Sequence, residues 1–251
     1  MEGNDMEHIY AVETKEELEA YQKFVFQIQI SLNKYVSYLQ QEFQVVDFPN
    51  VILWTSYETA TRRLSDVPLP AYTNSHRIVI TPDLCSWRKI YLHQADDLPE
   101  DTATTICHYY THCLNGNHVL QILGHELAHH SELFLDEVYE SGKGIWFEEG
   151  MVEYISRRYF LTEEEFRQEA EINRQIVALH RKTKAPLDTF GRDTYQGDIS
   201  SIFLAYWRSF LAVSQIVEDF GGNISAVFSS YHRWYETGSP LSLAQWFRLE
   251  P

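Results

Sequence analysis

The run His125-Glu126-Leu127-Ala128-His129 places two imidazoles and a carboxylate within five residues. On a helix, positions i and i+4 share one face, one turn apart. His125 and His129 would then offer two ring nitrogens to a single divalent ion. Glu126 is offset by about 100° around such a helix, so its carboxylate can reach a water at the ion without binding the ion itself. Zinc-assisted hydrolysis of an amide needs this arrangement. Val119, Leu120, Ile122, Leu123 and Leu127 make the surrounding stretch strongly apolar. A helix this apolar is buried, and buried imidazoles need partners that a shared metal would supply. Gly124 would let another element approach the helix closely, and Asn117 reads as its N-cap after the Asn115-Gly116 turn. The bland alternative is a surface helix that carries two histidines and a glutamate for no purpose.

A catalytic zinc takes three protein ligands and keeps one position open, so a third ligand must come from elsewhere. A second helix is expected from about Ile145 to Phe160, after a polar loop holding Gly142 and Gly144. On it Glu149 and Glu153 are four apart and share a face. Two carboxylates there repel unless a cation is near. Glu149 is therefore expected to bind the zinc. Glu153 would accept a hydrogen bond from the outer nitrogen of a ligand histidine, fixing its tautomer. Gly150 would let this helix lie close to the histidine helix. Glu148 is the competing ligand, but it shares its face with Val152, Ile155 and Tyr159, which suits packing better. A solvated acidic face is the alternative for the whole pair.

His125-Glu126-Leu127-Ala128-His129 is followed, twenty positions past His129, by Glu149-Gly150-x-x-Glu153-Tyr154. Together they resemble the gluzincin metallopeptidases, most nearly the "peptidase MA-like" branch and more distantly thermolysin. The motif-level likeness covers roughly residues 117–160, and its His-Glu-x-x-His and Glu-Gly parts are specific. A looser likeness includes Ala205-Tyr206-Trp207-Arg208-Ser209-Phe210, similar to a Tyr-x-x-Ser helix whose tyrosine faces the metal in that branch. The resemblance implies a zinc-dependent endopeptidase or aminopeptidase with two subdomains around a cleft. The Gly-x-Met-x-Asn motif of the large aminopeptidases is missing, which disfavours that subgroup.

With 251 residues, 44% of them hydrophobic and 14% aromatic, the chain can bury a sizeable core in one large domain or two intimate subdomains. A formal charge of −16 argues against nucleic acid or an anionic membrane as partner, because a negative field repels both. The expected partner is a peptide or protein substrate. Met1–Glu7 has no basic n-region or apolar h-region, so no signal peptide is expected. No apolar run approaches the length of a bilayer span. Cys85, Cys107 and Cys113 form an odd, irregular set, read as reduced thiols of a cytoplasmic protein. Cys107, His108, His112, Cys113 and His118 are tempting as a structural zinc site, but no C-x-x-C pair exists. His130 would point about 100° away from His129.

The fold expected is α+β. An N-terminal subdomain, residues 1–134, would hold a small mixed β-sheet with helices and end in the His-Glu-x-x-His helix. A mainly helical C-terminal subdomain, residues 135–251, would carry the glutamate helix, with the zinc cleft between the two. Leu18 to Leu39 follow spacings of three and four, an amphipathic helix. Val51–Trp54 and Arg77–Thr81 read as strands, separated by a turn-rich stretch with Pro68 and Pro70. Arg77–Thr81 is either an edge strand to which a peptide could add or an ordinary interior strand. Thr162 opens a charged helix running toward His180. Gly191, Gly197 and Asp198 mark a loop, and Ile199–Phe220 is a long apolar helix stopped by Gly221-Gly222. Two shorter helices should finish the chain.

The chemistry expected is attack of zinc-activated water on a peptide carbonyl. His125, His129 and Glu149 hold the metal, and Glu126 takes the proton and returns it to the leaving nitrogen. Tyr206 is the first candidate for the oxyanion donor, on the strength of the resemblance, with Tyr195, His180 and Arg208 behind it. Three rivals remain: a catalytically silent zinc-binding protein that holds a partner in the cleft, a metallohydrolase acting on a non-peptide bond, and a helical interaction module without metal.

Overall fold

The six apolar residues Tyr21, Val25, Ile28, Leu32, Tyr35 and Leu39 are the buried face of α1 (Lys15–Glu42), where spacings of three and four gather them on one side. Thr14 opens the helix with a reciprocal capping box. Its hydroxyl accepts from the Glu17 N–H, and the Glu17 carboxylate accepts from the Thr14 N–H, both at 3.1 Å. The structure, a computed structural model, describes residues 6–65, 67–96, 98–179 and 185–249. Among these the fold is α+β, with eleven α-helices and one four-stranded sheet. By internal packing the chain divides into two compact units, Met1–Glu132 with Ser156–Thr162, and Leu133–Ile155 with Glu163–Pro251.

All four strands belong to the first unit: β1 (Glu7–Ala11), β2 (Val51–Thr55), β3 (Ala71–Thr73) and β4 (Arg77–Ile80), in the order β1-β2-β4-β3. The first, second and fourth run parallel, and β3 is antiparallel to β4. The runs expected to be strands are β2 and β4. Of the two readings left open for Arg77–Thr81 the interior one holds: β4 lies inside, and β1 and β3 are the edges. The cause is a tight reversal at Asn74, whose side chain accepts from the N–H groups of His76 and Arg77 at 2.9 and 3.0 Å. That turn folds residues 71–73 back onto β4. Four further helices complete the unit: α2 (Tyr57–Arg62), α3 (Leu84–His93), α4 (Glu100–His112) and α5 (Gly116–Ala128). The last of these packs against α1 and on β3 and β4. Cys107, His108 and His112 ride α4, and all three cysteines are free thiols.

The second unit is helical: α6 (Asp136–Glu140), α7 (Ile145–Phe160), α8 (Glu163–Leu179), α9 (Ile199–Asp219), α10 (Ile224–Glu236) and α11 (Leu243–Trp246), with 3-10 turns at Leu187–Thr189 and Arg192–Gln196. The last five residues of α7 count with the first unit. Its aromatic core is built on Phe147, which stacks on Tyr231 and Phe247 with ring centroids 4.6 and 5.6 Å away. The expected helices over 145–160 and 199–220 are α7 and α9. Among the described residues, no helix is long and apolar enough to cross a membrane.

Candidate metal centre

Asn115, two residues ahead of the expected Asn117, caps α5. Its backbone is extended and its side chain accepts from the Asn117 N–H at 2.8 Å. His118 completes the cap by accepting from the Asn115 N–H at 3.2 Å. From His118 to Ala128 every residue is buried, so this helix is a core element on all sides. Gly124 makes that possible. A Cβ there would stand 2.6 Å from the Phe160 ring and 3.0 Å from the Tyr35 ring. Tyr35 uses the space to donate its hydroxyl to the Gly124 carbonyl at 3.0 Å. The close approach expected at Gly124 is thus made by two aromatic rings.

At the end of α5, His125 is 6% exposed and His129 is half-buried. Their Nε2 atoms face one another at 3.2 Å. Two nitrogens bound to one tetrahedral zinc at about 2.0–2.1 Å would stand about 3.3 Å apart, so the pair already has ligand spacing. Glu126 is 7% exposed and does not face bulk solvent. His130 is half-buried, with Nε2 2.8 Å from the Thr73 hydroxyl of β3. Burial, and then the neighbouring His129, lower its pKa to about 4. It is therefore neutral at physiological pH and ties the edge strand to the end of α5.

On α7, Glu149 is 4% exposed. The neighbouring Gly150 makes room for α9. A Cβ there would fall 2.6 Å from Val213 Cγ2 and 2.8 Å from the Ser209 carbonyl carbon. Glu148 is half-buried, and its charge is one of the smaller influences raising the pKa of Tyr231, after burial. Glu153 lies one turn beyond Glu149 and is half-buried.

Tyr195, from the Arg192–Gln196 turn, donates its hydroxyl to Glu149 Oε1. Tyr195 is half-buried. Burial first, then the Glu149 charge and Tyr206, push the phenol well above its ordinary range, so it keeps its proton. Tyr206 on α9 is half-buried, with its ring centroid 6.4 Å from that of Tyr195. Arg208 donates to the Ala185 carbonyl, and His180 lies outside the described residues. The hydrogen bond between Tyr195 and Glu149 has no signature in the sequence, because a loop residue 46 positions downstream keeps no fixed spacing to its partner.

His125, His129 and Glu149 could hold a metal ion. Each offers a ligand atom, and these atoms lie within 4.8 Å of one another. Among the described residues, no other group of three or more His, Cys, Asp or Glu does so, and Glu148 is outside it. Two imidazole nitrogens and one carboxylate oxygen suit a borderline divalent metal, and three ligands leave a coordination place for a reactant. No protein-family model, curated protein or solved structure matches this chain.

Proposed function

We propose that this protein is a zinc-dependent peptidase of gluzincin type that hydrolyses peptide bonds in a peptide or protein substrate. The observation that carries the reading is the grouping of His125, His129 and Glu149 with a buried Glu126 on the same turn as the first histidine. His125, His129 and Glu149 would hold the zinc, with Glu153 orienting a ligand histidine. When bound, zinc supplies Lewis acidity, which polarises the scissile carbonyl and brings the pKa of a water toward about 7.

Glu126 takes a proton from the attacking water and delivers it to the leaving nitrogen as the C–N bond breaks, giving a carboxylate and an amine. Its carboxylate is buried and adjoins His125 in sequence. Oxyanion stabilisation is assigned to Tyr206, with Tyr195 beside it. Substrate main chain would add to β3, the edge strand that packs beside α5 and is tied to His130. An edge of this kind offers backbone donors and acceptors, so it recognises extended peptides with little demand on sequence. Three free thiols fit a reducing, cytoplasmic setting, which is part of the proposal.

The test is cleavage of an unstructured protein by the zinc-loaded chain, with and without chelator. Chelator-sensitive cleavage that disappears in Glu126→Gln supports the proposal. Zinc uptake without any cleavage points to a silent zinc-binding protein and overturns it.

A further inference from the structure

We infer that Tyr195 is a positioning residue for Glu149, holding the carboxylate of the metal-binding glutamate in one orientation. The inference rests on reading His125, His129 and Glu149 as a metal centre.

An ionised carboxylate only accepts, so the proton between Tyr195 and Glu149 Oε1 comes from the phenol.

The loop bearing Tyr195 is fixed independently of that bond. Trp146 Nε1–H donates to Asp188 at 2.8 Å, and Arg208 donates to the Ala185 carbonyl. Phe190 is buried, with its ring 5.8 Å from Tyr195 and 5.7 Å from Tyr206. Trp146 and Glu149 are three apart on α7, so neighbouring positions on one helix grip the loop twice. Tyr195 therefore reaches Glu149 from a supported site. A glutamate fixed before the ion arrives does not have to be ordered by it, and partners that orient metal ligands are typically worth about 10–100-fold in metal affinity.

The experiment measures zinc affinity of the full chain by competition with a chromophoric chelator. The variants are Tyr195→Phe, Glu149→Ala and the double substitution. Phenylalanine keeps the ring against Phe190 and Tyr206 and removes only the hydroxyl, and metal-free melting curves confirm that the variants fold. Tyr195→Phe should weaken zinc binding by about 10–100-fold. On the Glu149→Ala background the same change should cost no more than about twofold, because there is no carboxylate left to orient.

An equal loss on both backgrounds means a general structural role and overturns the inference. Unchanged affinity in Tyr195→Phe also overturns it while leaving the metal centre standing. A wild-type chain that takes up no zinc removes the metal centre itself, and the inference with it. Should Tyr195→Phe not fold, Tyr195→Leu, which also lacks the hydroxyl, carries the same comparison: a loss that depends on Glu149 supports the inference, and no loss overturns it.

Discussion

Glu126 and Glu149 are both buried carboxylates, 7% and 4% exposed, and they are assigned opposite tasks. One must exchange a proton while the other must stay ionised beside an ion. Glutamine is nearly isosteric with glutamate and separates the tasks. Glu126→Gln should retain zinc and lose turnover by at least about 100-fold, the usual worth of a general base. Metal analysis alongside a cleavage assay checks it, and wild-type turnover in that variant contradicts the mechanism. Glu149→Gln should instead lose zinc. Glu148→Gln, one residue away but outside the ligand group, should bind zinc as the wild type does. If chelator competition ranks Glu148 as the residue that matters, the ligand assignment is wrong.

Two glycines decide how closely helices approach, and they give the clearest predictions at the scale of elements. In an exposed helix, glycine to alanine stabilises by about 1 kcal/mol. At Gly124 the new methyl would meet Phe160 and Tyr35, and at Gly150 it would meet Val213 and the backbone at Ser209. Overpacking of this kind costs about 1–3 kcal/mol, so the sign should reverse and both alanine variants should melt lower. A higher melting point for either would show that the neighbours yield easily. The need for Gly124 was legible in the sequence, because a glycine inside an apolar helical run implies a close neighbour. The neighbour of Gly150 was not, because which helix fills the space is decided by tertiary packing. The same division runs through the fold. α1, α5, α7 and α9 are long and periodic and could be read directly. β1 could not, since its five residues are only partly buried and carry no clean alternation. Whether β4 lay at the edge or inside stayed open in the sequence because the Asn74 turn, and not the strand composition, folds β3 outside it. At the candidate metal centre the grouping of the histidine pair with Glu149 was legible from local spacing, whereas Tyr195 reaches Glu149 from a distant loop.

Across the whole molecule, a formal charge of −16 is the dominant long-range term. Self-repulsion of that size destabilises the compact state and is screened by salt. Raising ionic strength from about 0.01 to 0.15 M shortens the Debye length from about 30 to 8 Å and should raise the melting point; a fall would mean that attractive pairs dominate. Surface pairs such as Lys15–Glu19, at 3.4 Å and well exposed, are too weak to reverse the effect. Zinc should stabilise the folded chain by mass action, with a melting point that rises with free zinc concentration. The most direct measurement is the zinc content of the purified chain after loading and dialysis. The account predicts one equivalent per wild-type chain and, in each of His125→Ala, His129→Ala and Glu149→Ala, a weakened affinity that chelator competition still reads but that does not hold the equivalent through dialysis. Zinc well below one equivalent in the wild type, or an equivalent that survives all three substitutions, would contradict it.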